Sequence, residues 1–306
     1  MEKLHGIIPP MITPLKGDDT IDIEGAARLT EHMIAGGVHG LFLLGTTGEA
    51  QSLSYKCRYD FVELVCRQVA GRVPVIVGIT DTSMDESIKL AEHAKRCGAV
   101  AVVSAPPYYF APSQQELIEY YTALADALPL PLYLYNMPSH VKVFFDPKTV
   151  VALAAHPNIV GLKDSSANMT YFQTLLYLLR DKPDFALLVG PEELTGECVL
   201  MGADGGVNGG ANIFPELYVG MYDAARAHDI GRVRELQKRI MQISTSIYTV
   251  GKYGSSYLKG VKCALSLLGI CDDYLSYPYR KFRSEERARI RTALEELGVE
   301  CKPENF

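Results

Sequence analysis

Apolar, often β-branched runs recur along the chain roughly every 20 to 35 residues, and most are separated by segments with the period of an amphipathic helix. The runs lie near Ile7, Gly40, Val73, Val100, Leu130, Ile159, Phe185 and Gly205. This alternation indicates repeated βα units, and the near-continuous apolar character indicates strands that are covered on both faces. The pattern therefore predicts an α/β fold of the (β/α)₈ barrel type rather than an open, doubly wound sheet.

Residues that favour helix starts follow four of the apolar runs. Asp22, Ser54, Ser83 and Ser113 each precede a segment with helix period, and Glu116 stands three residues after Ser113. Such side chains accept hydrogen bonds from the first backbone N–H groups of a helix, and the Ser-x-x-Glu spacing is that of a capping box. We therefore predict that helices begin at these four positions.

The last third of the chain has a different pattern. Strand signals end after Asn208, and residues 214–300 have the pattern of helices interrupted by short polar or glycine-containing turns. No low-complexity linker marks a boundary. We predict a barrel over residues 1–225 and a C-terminal helical region over residues 226–306.

The bulk properties favour a protein that acts on small molecules. The chain has 306 residues, 48% of them hydrophobic and 22% charged, and it can bury a large core. A net charge of -6 provides no basic surface for nucleic acid. No apolar run approaches the roughly 18 residues that span a bilayer, and the N-terminus lacks a signal-peptide pattern. We therefore expect a cytoplasmic protein without nucleic-acid or membrane partners.

The cysteines argue against disulfides and against a metal site. The chain has seven, an odd number, scattered without a Cys-x-x-Cys pair or a nearby pair of histidines. We expect reduced thiols and no bound metal.

Lys163 is the residue whose position most requires an explanation. It ends the apolar run 159–162, and strand alternation puts Ile159, Gly161 and Lys163 on one face. If that face is the inner one, the amine loses hydration, which favours the neutral form that can attack a carbonyl. The alternative is an ordinary lysine at a strand end that reaches into water.

The active site of such a barrel lies at the carboxyl ends of its strands, so the residues that finish each run are the candidates. They are Gly45-Thr46-Thr47-Gly48-Glu49, Pro107-Tyr108-Tyr109, Tyr135-Asn136-Met137-Pro138, Lys163, Gly190-Pro191-Glu192-Glu193 and Val207-Asn208-Gly209-Gly210. Alternation also puts Tyr133 and Tyr135 on one face, so Tyr135 can point into the barrel beside Lys163. A phenol beside an amine suggests proton transfer.

Three of these stretches have two interpretations. The turn 45–48 offers N–H groups and hydroxyls for a carboxylate or phosphate, or it is a tight turn with capping threonines. The glycine-rich stretch 202–210 is a phosphate-gripping loop, or its glycines let helices pack closely. For Tyr108 we favour an aromatic that fills the core or an interface.

The motifs Gly45-Thr46-Thr47-Gly48-Glu49, Pro107-Tyr108-Tyr109, Tyr135-Asn136-Met137-Pro138 and Gly161-Leu162-Lys163-Asp164-Ser165 resemble, in order, the signatures of a known family. This is the dihydrodipicolinate synthase and N-acetylneuraminate lyase family of class I aldolases, and the resemblance extends over nearly the whole chain. It implies a TIM barrel with a C-terminal helical region that handles pyruvate as a Schiff base without a cofactor. It also implies a homotetramer of two tight dimers.

The resemblance assigns catalytic roles to four residues. Lys163 matches the lysine that forms the imine, and Tyr135 matches the proton shuttle. Thr46 matches the threonine that links two tyrosines in a proton relay. Tyr109 matches the tyrosine that reaches into the neighbouring subunit's site.

The substrate-binding positions match the family less uniformly. Thr47 matches the residue that holds the pyruvate carboxylate, and Val207 matches a backbone carbonyl near the imine. His140 stands where the synthases carry an arginine for a second carboxylate; a histidine lacks that permanent, bidentate charge, and a loop residue without a ligand role is the alternative. Asn208-Gly209 stands where the sialic acid lyases have Gly-Ser, so the chain differs from those lyases at this position.

At the seventh barrel strand, Gly190-Pro191-Glu192-Glu193 resembles the Gly-x-Asp-Glu of the sialic acid lyases, whose acids hold sugar hydroxyls, more than the Gly-Asp-Asp of the synthases. The alternative is a pair of acids favoured by the dipole of a helix's first turn. Together with His140, they favour a lyase or aldolase that forms or consumes pyruvate, with a neutral or hydroxylated partner aldehyde. The alternatives are 4-hydroxy-tetrahydrodipicolinate synthase, a phosphosugar barrel that uses the stretch 202–210, and a family member that binds a ligand without turnover.

Overall fold

The computed structural model describes residues 3–302, and its centre is a curled sheet of eight parallel strands. A separate two-stranded antiparallel hairpin precedes the first helix. In chain order the strands are β1 (Gly6–Ile7), β2 (Leu15–Gly17), β3 (Thr20–Ile21), β4 (Leu41–Leu43), β5 (Val75–Gly78), β6 (Ala101–Ser104), β7 (Leu132–Asn136), β8 (Ile159–Asp164), β9 (Ala186–Val189) and β10 (Gly205–Gly206). The hairpin consists of β2 and β3, and the other strands form the sheet.

The sheet closes on itself. From β4 to β10 each sheet strand pairs in parallel with the next, and β1 pairs with β10. At the other edge, the Phe42 carbonyl of β4 accepts a hydrogen bond of 2.9 Å from the Met11 N–H, and the Phe42 N–H donates to Pro9 O at 2.9 Å. The chain just after β1 thus joins β4, and the (β/α)₈ barrel that the apolar runs predict is confirmed.

Helices follow the barrel strands and then continue beyond the last one. They are α1 (Ile23–Ala35), α2 (Tyr55–Val69), α3 (Met84–Arg96), α4 (Gln114–Ala127), α5 (Pro138–Val141), α6 (Pro147–Leu153), α7 (Met169–Leu178), α8 (Thr195–Leu200), α9 (Pro215–Arg226), α10 (Ile230–Ser246), α11 (Ser256–Leu267) and α12 (Ser284–Glu296). Short 3₁₀ turns occupy Ala50–Ser52, Glu192–Leu194 and Gly209–Asn212. Throughout residues 3–302, no helix combines the length and apolar character needed to cross a membrane.

The four predicted helix starts are confirmed by their hydrogen bonds. The side chains of Asp22, Ser54, Ser83 and Ser113 each accept a bond from the backbone N–H three residues further on. The Glu116 carboxylate also accepts from the Ser113 N–H at 2.7 Å, which completes the capping box. These hydrogen bonds join residues only three positions apart, so the sequence alone could predict them.

The C-terminal helices contact the barrel at Glu49, the last residue of the motif that follows β4. Lys262 of α11 is fully buried and forms an ion pair with Glu49, and the Glu49 carboxylate also accepts from the Ser276 N–H at 2.9 Å. Buried charges of this kind persist only when they are paired. Residues 1–2 and 303–306, the outer ends of the two predicted regions, lie outside the described residues.

Candidate active site

A buried lysine lies beside a tyrosine at the carboxyl end of the barrel. Strand pairing places Tyr135 of β7 opposite Lys163 of β8. The Lys163 Nζ atom is 4.1 Å from the Tyr135 ring centroid and 5.1 Å from the centroid of the Phe42 ring. Lys163 is only 6% exposed, so of its two interpretations the structure supports the buried, inward-facing amine.

The Tyr135 hydroxyl is part of a small hydrogen-bonded group. Its oxygen is 3.3 Å from Thr46 Oγ1, and the side chains of Ser165 and Lys163 lie nearby. Burial by itself raises the pKa of this phenol, but the positive charge of Lys163 and the interactions with the Thr46, Ser165 and Lys163 side chains together lower the pKa of Tyr135 below its usual value. A phenol whose pKa is lowered in this way can donate and accept a proton beside the Lys163 amine.

Ser165 reaches this group because Gly190 leaves room for it. A Cβ atom built on Gly190 would lie 2.0 Å from Ser165 Oγ, so no other residue fits there without a shift. The position of the serine hydroxyl therefore depends on the glycine that directly follows β9.

Thr47, next to the relay threonine, meets a residue of the C-terminal helices. Its Oγ1 atom is 3.3 Å from the Tyr257 hydroxyl oxygen, and Thr47 is buried. Thr46 and Thr47 thus serve two different tyrosines, one from the barrel and one from α11.

A cavity of about 230 Å³ opens in front of Tyr135. Its walls are mostly apolar and are formed by Phe42, Leu44, Gly45, Thr46, Gln51, Thr80, Ala105, Tyr108, Tyr135, Met137, His140 and Val141. No arginine or lysine belongs to these walls, so among the described lining residues His140 is the only basic side chain. Tyr108, expected to fill the core or an interface, packs against the hydrophobic core and also lines this cavity.

His140 contributes little positive charge to the cavity at neutral pH. Desolvation, and then the positive charge of Lys163, lower the pKa of His140 below its usual value of 6.5. The imidazole also lies 3.0 Å from Ser139 Oγ through Nδ1. It is therefore a neutral hydrogen-bonding group at the mouth of the site above pH 7.

Tyr109 is not among the residues that line the cavity of its own chain. It is 80% exposed and packs edge-on against Phe110, with the ring centroids 5.1 Å apart. Two exposed aromatic rings side by side are typical of a surface that meets another protein.

The structure does not bring Glu192 and Glu193 to the cavity walls. Glu192 is 5% exposed, and its carboxylate accepts hydrogen bonds from Tyr218, Tyr248 and the Gly210 N–H. Glu193 accepts from Ser244 Oγ of α10 at 2.5 Å. Both oxygens of Glu192 and one oxygen of Glu193 thus accept hydrogen bonds from protein groups, and this geometry does not favour the expectation that the two residues hold substrate hydroxyls.

Val207 and Asn208 follow β10 and are both buried. The Val207 N–H donates to Val189 O at 2.8 Å, and Asn208 Nδ2 donates to Gly190 O at 3.3 Å. Neither side chain lines the cavity. Both are therefore held at the top of the barrel by β9 and the residue that follows it.

The glycines after Asn208 make room for side chains. A Cβ atom on Gly209 would lie 1.5 Å from the Tyr257 hydroxyl oxygen, and one on Gly210 would lie 2.0 Å from that of Tyr218. Protein groups thus occupy the space next to these glycines. The packing interpretation of this stretch explains both residues, whereas a phosphate loop would need that space open.

The sequence-based candidates did not include every residue of the site; those missed include Phe42, Gln51, Thr80, Ser165 and Tyr257. Thr80 follows β5, and its position just past a strand end is a signal that applies to all eight strands. Ser165 belongs to the motif that contains Lys163, but no role was predicted for it. Tyr257 carries no such signal, because a helix far along the chain brings it to the site.

Comparison with known proteins agrees with this geometry. Residues 3–297 match the model of the dihydrodipicolinate synthetase family. A solved dihydrodipicolinate synthase from Bacteroides thetaiotaomicron is 60% identical, with a TM-score of 0.94 over 97% of this chain and 100% of that one. The pyruvate complex of YagE from Escherichia coli K12, described as belonging to the dihydrodipicolinic acid synthase family, is 29% identical, with a TM-score of 0.91 over 97% and 99% of the two chains.

A relative with a different named substrate is similar over an equal length. The probable 2-dehydro-3-deoxy-D-pentonate aldolase YjhH of E. coli K12 is 32% identical over 302 residues, which is 98% of this chain and 99% of that protein. Members of the family are Schiff-base aldolases that use pyruvate and no cofactor. The resemblance seen in the four motifs is confirmed: the chain belongs to the dihydrodipicolinate synthetase family of class I aldolase-type lyases.

Proposed function

We propose that Lys163 forms an imine with the ketone of a 2-oxo acid, while Tyr135 moves the protons and Thr46 connects Tyr135 to a relay. The observation that supports these roles is the buried Lys163 amine, 4.1 Å from the ring of a tyrosine that is itself hydrogen-bonded to Thr46. Thr47 binds the substrate carboxylate, and the Val207 carbonyl faces the imine.

The chemistry requires no group beyond these side chains. The neutral amine adds to C2 of the 2-oxo acid, and the Tyr135 hydroxyl supplies the proton that converts the ketone oxygen to a hydroxyl. The Tyr135 phenolate takes back a proton from the added amine and gives it to that hydroxyl, which leaves as water and forms an iminium. When a longer acid is cleaved, the phenolate removes the C4 hydroxyl proton, the C3–C4 electron pair moves into the iminium, and C4 leaves as an aldehyde. The Tyr135 phenol then protonates the enamine at C3, and water hydrolyses the imine to release pyruvate. Condensation is the reverse sequence.

The partner aldehyde is neutral or hydroxylated. The observation that carries this part is the cavity wall, in which the lining residues found within 3–302 include no permanent cation and have His140 as their basic member. A second carboxylate would enter an apolar space with no guanidinium to offset its desolvation. Hydroxyl groups can instead bond to Gln51, Thr80 and Tyr108. Glu192 and Glu193 are not substrate ligands in this proposal, and Asn208 acts only by supporting β9.

The second candidate function is 4-hydroxy-tetrahydrodipicolinate synthase, which condenses pyruvate with aspartate semialdehyde. The observation in its favour is the 60% identity to a chain described as dihydrodipicolinate synthase. A family member that binds a ligand without turnover is the third candidate, and the intact set of Lys163, Tyr135 and Thr46 argues against it.

The functional unit is a homotetramer made of two tight dimers, in which Tyr109 of each chain reaches the neighbouring site. Its support is the exposure of Tyr109 beside Phe110. A side chain that is mostly exposed in one chain and matches a catalytic tyrosine requires a partner to act on a substrate.

The test is a comparison of kcat/KM for condensation with aspartate semialdehyde and for cleavage of hydroxylated 2-oxo acids. We expect the hydroxylated acids to be preferred. His140→Arg should then raise kcat/KM for the semialdehyde by about tenfold, because a guanidinium-carboxylate bond is stronger than a neutral one. His140→Gln, which adds no charge at the same place, is the control. A native preference for the semialdehyde would establish the synthase instead.

A further inference from the structure

We propose that Tyr257 of α11 is a second hydroxyl donor to the substrate carboxylate, acting beside Thr47. The proposal rests on the imine chemistry proposed above, in which Thr47 is the carboxylate ligand. It adds a binding residue that comes from the C-terminal helices rather than from a barrel strand. Its basis is the contact between the two hydroxyl oxygens, which are 3.3 Å apart.

The Tyr257 hydroxyl lies against the top of the barrel, and the residue is partly buried. Gly209, in the 3₁₀ turn after β10, has no side chain, and a Cβ atom there would lie 1.5 Å from the phenolic oxygen. The oxygen is therefore seated on the backbone of the turn. This position lies between the turn after β10 and Thr47. Thr47 directly follows Thr46, whose hydroxyl is 3.3 Å from that of Tyr135, and Tyr135 lies opposite Lys163, so the two hydroxyls adjoin the group around the lysine.

The hydroxyl pair leaves donors without acceptors. In residues 3–302, Thr47 Oγ1 is the one hydrogen-bond partner that the Tyr257 hydroxyl has, and the Thr47 N–H has none. One hydroxyl of the pair donates to the other, so one hydroxyl proton and one N–H remain. Partly buried donors of this kind are satisfied when a ligand supplies the acceptor, and a carboxylate supplies two oxygens.

The Tyr257 phenol is protonated and can donate a hydrogen bond. Burial raises the pKa of the Tyr257 phenol well above its usual value, and the hydrogen bond with Thr47 only partly opposes this. The phenol therefore keeps its proton throughout the physiological range. Thr47 and Tyr257 can then both donate to an anion.

A buried cluster fixes the direction of the Tyr257 ring. Its ring packs edge-on against Tyr248, with centroids 4.8 Å apart and planes at 75°. The Tyr248 hydroxyl donates to Glu192 Oε1 at 2.6 Å, and Tyr218 donates to the same oxygen at 2.5 Å. Glu192 Oε2 accepts from the Gly210 N–H at 2.7 Å. Glu192 is thus a positioning residue that holds Tyr248, and through it Tyr257.

The experiment compares two ketones that differ at the carboxylate. Pyruvate and hydroxyacetone, in which a hydroxymethyl group replaces the carboxylate, are each trapped on Lys163 with borohydride over a range of concentrations. Tyr257→Phe keeps the ring against Tyr248 and removes the hydroxyl. We expect the half-saturating pyruvate concentration to rise by about tenfold, because a hydrogen bond to a charged group is lost. The value for hydroxyacetone should change by less than about twofold, because it lacks the anion.

Tyr253→Phe is the matched control. Tyr253 is 78% exposed and lies in the segment just before α11, so this substitution should leave both values unchanged. Equal weakening for the two ketones in Tyr257→Phe would mean that the hydroxyl supports packing only, and an unchanged pyruvate value would mean that it does not meet the carboxylate. Either result overturns the proposal while the adduct on Lys163 keeps the imine chemistry intact. Absence of any Lys163 adduct in the native protein contradicts the proposed function itself.

A second measurement uses the native chain and does not depend on the variant folding. The crystal structure of the reduced pyruvate adduct should have a carboxylate oxygen within about 3.2 Å of the Tyr257 hydroxyl oxygen. A carboxylate held by Thr47 alone, with Tyr257 turned away or separated by water, overturns the proposal.

Discussion

The Nζ atom of Lys163 lies over the ring of Tyr135, 4.1 Å from its centroid, because β7 and β8 pair these two residues directly across the sheet. The phenol is in turn 3.3 Å from Thr46 Oγ1 at the end of β4. An amine, a phenol and a hydroxyl from three strands therefore form one connected group. The roles proposed for Lys163, Tyr135 and Thr46 can each be tested.

Pyruvate and borohydride should leave a reduced three-carbon adduct on Lys163. The amine is buried with an open cavity in front of the neighbouring Tyr135, which suits attack on a small ketone. Peptide mapping by mass spectrometry locates the adduct. Lys262 is an internal control, since it is also buried but is paired with Glu49 and donates to Tyr274 O at 2.7 Å. An adduct on Lys262 and not on Lys163 would contradict the assignment.

Tyr135→Phe should lower kcat by about 100-fold or more, because the proton donor and acceptor beside the amine is removed. Thr46→Val should have a smaller effect in the same direction, since it removes one of the hydrogen bonds to the phenol. The matched control is Tyr133→Phe, on the same strand and the same face as Tyr135. Steady-state kinetics and single-turnover trapping measure the effect, and an equal loss in Tyr133→Phe would indicate a packing defect instead of lost proton transfer.

Tyr109→Phe should reduce kcat by about 100-fold, at the low end of general acid-base effects, while leaving assembly unchanged. The reason is that Tyr109 is exposed in one chain and is proposed to act in the neighbouring site. Analytical ultracentrifugation checks assembly, and activity is measured over a dilution series. Tyr177→Phe, another exposed tyrosine on α7, is the control. Full activity in a dilute monomer would exclude the shared site.

Glu192→Gln should change how stability depends on pH. Burial raises the pKa of Glu192 from 4.5 to about 7, so the folded protein holds this proton more tightly than the unfolded chain does. The stabilisation is fully present below pH 4.5 and is lost as pH rises through about 7. The native protein should therefore lose, relative to the variant, on the order of 3 kcal/mol of unfolding free energy between these limits.

Urea denaturation at pH 5 and pH 8, at one protein concentration, measures this difference. The native protein's advantage over Glu192→Gln should be smaller at pH 8 than at pH 5. An advantage that grows with pH would mean that Glu192 is ionised in the folded protein throughout, and the sign of the prediction would be wrong.

Much of the architecture follows from local patterns. The strands lie at the eight apolar runs, and the four predicted caps are present, because burial on both faces and capping bonds depend on neighbouring residues. The inward direction of Lys163 and Tyr135 follows from the period of two in a strand. The four motifs identify the family for the same reason, since each is a continuous stretch at a strand end.

The sequence by itself thus determined the barrel, its family and the pair of Lys163 and Tyr135. Only the tertiary structure decided that Glu192 lies in a tyrosine cluster and that Tyr257 meets Thr47, across 210 residues of chain. Those contacts depend on where α9, α10 and α11 pack, and on Gly209 and Gly210 leaving space for tyrosine hydroxyls. Helix packing against a barrel is set by the summed fit of many side chains, and no local pattern encodes which two distant hydroxyls it brings together.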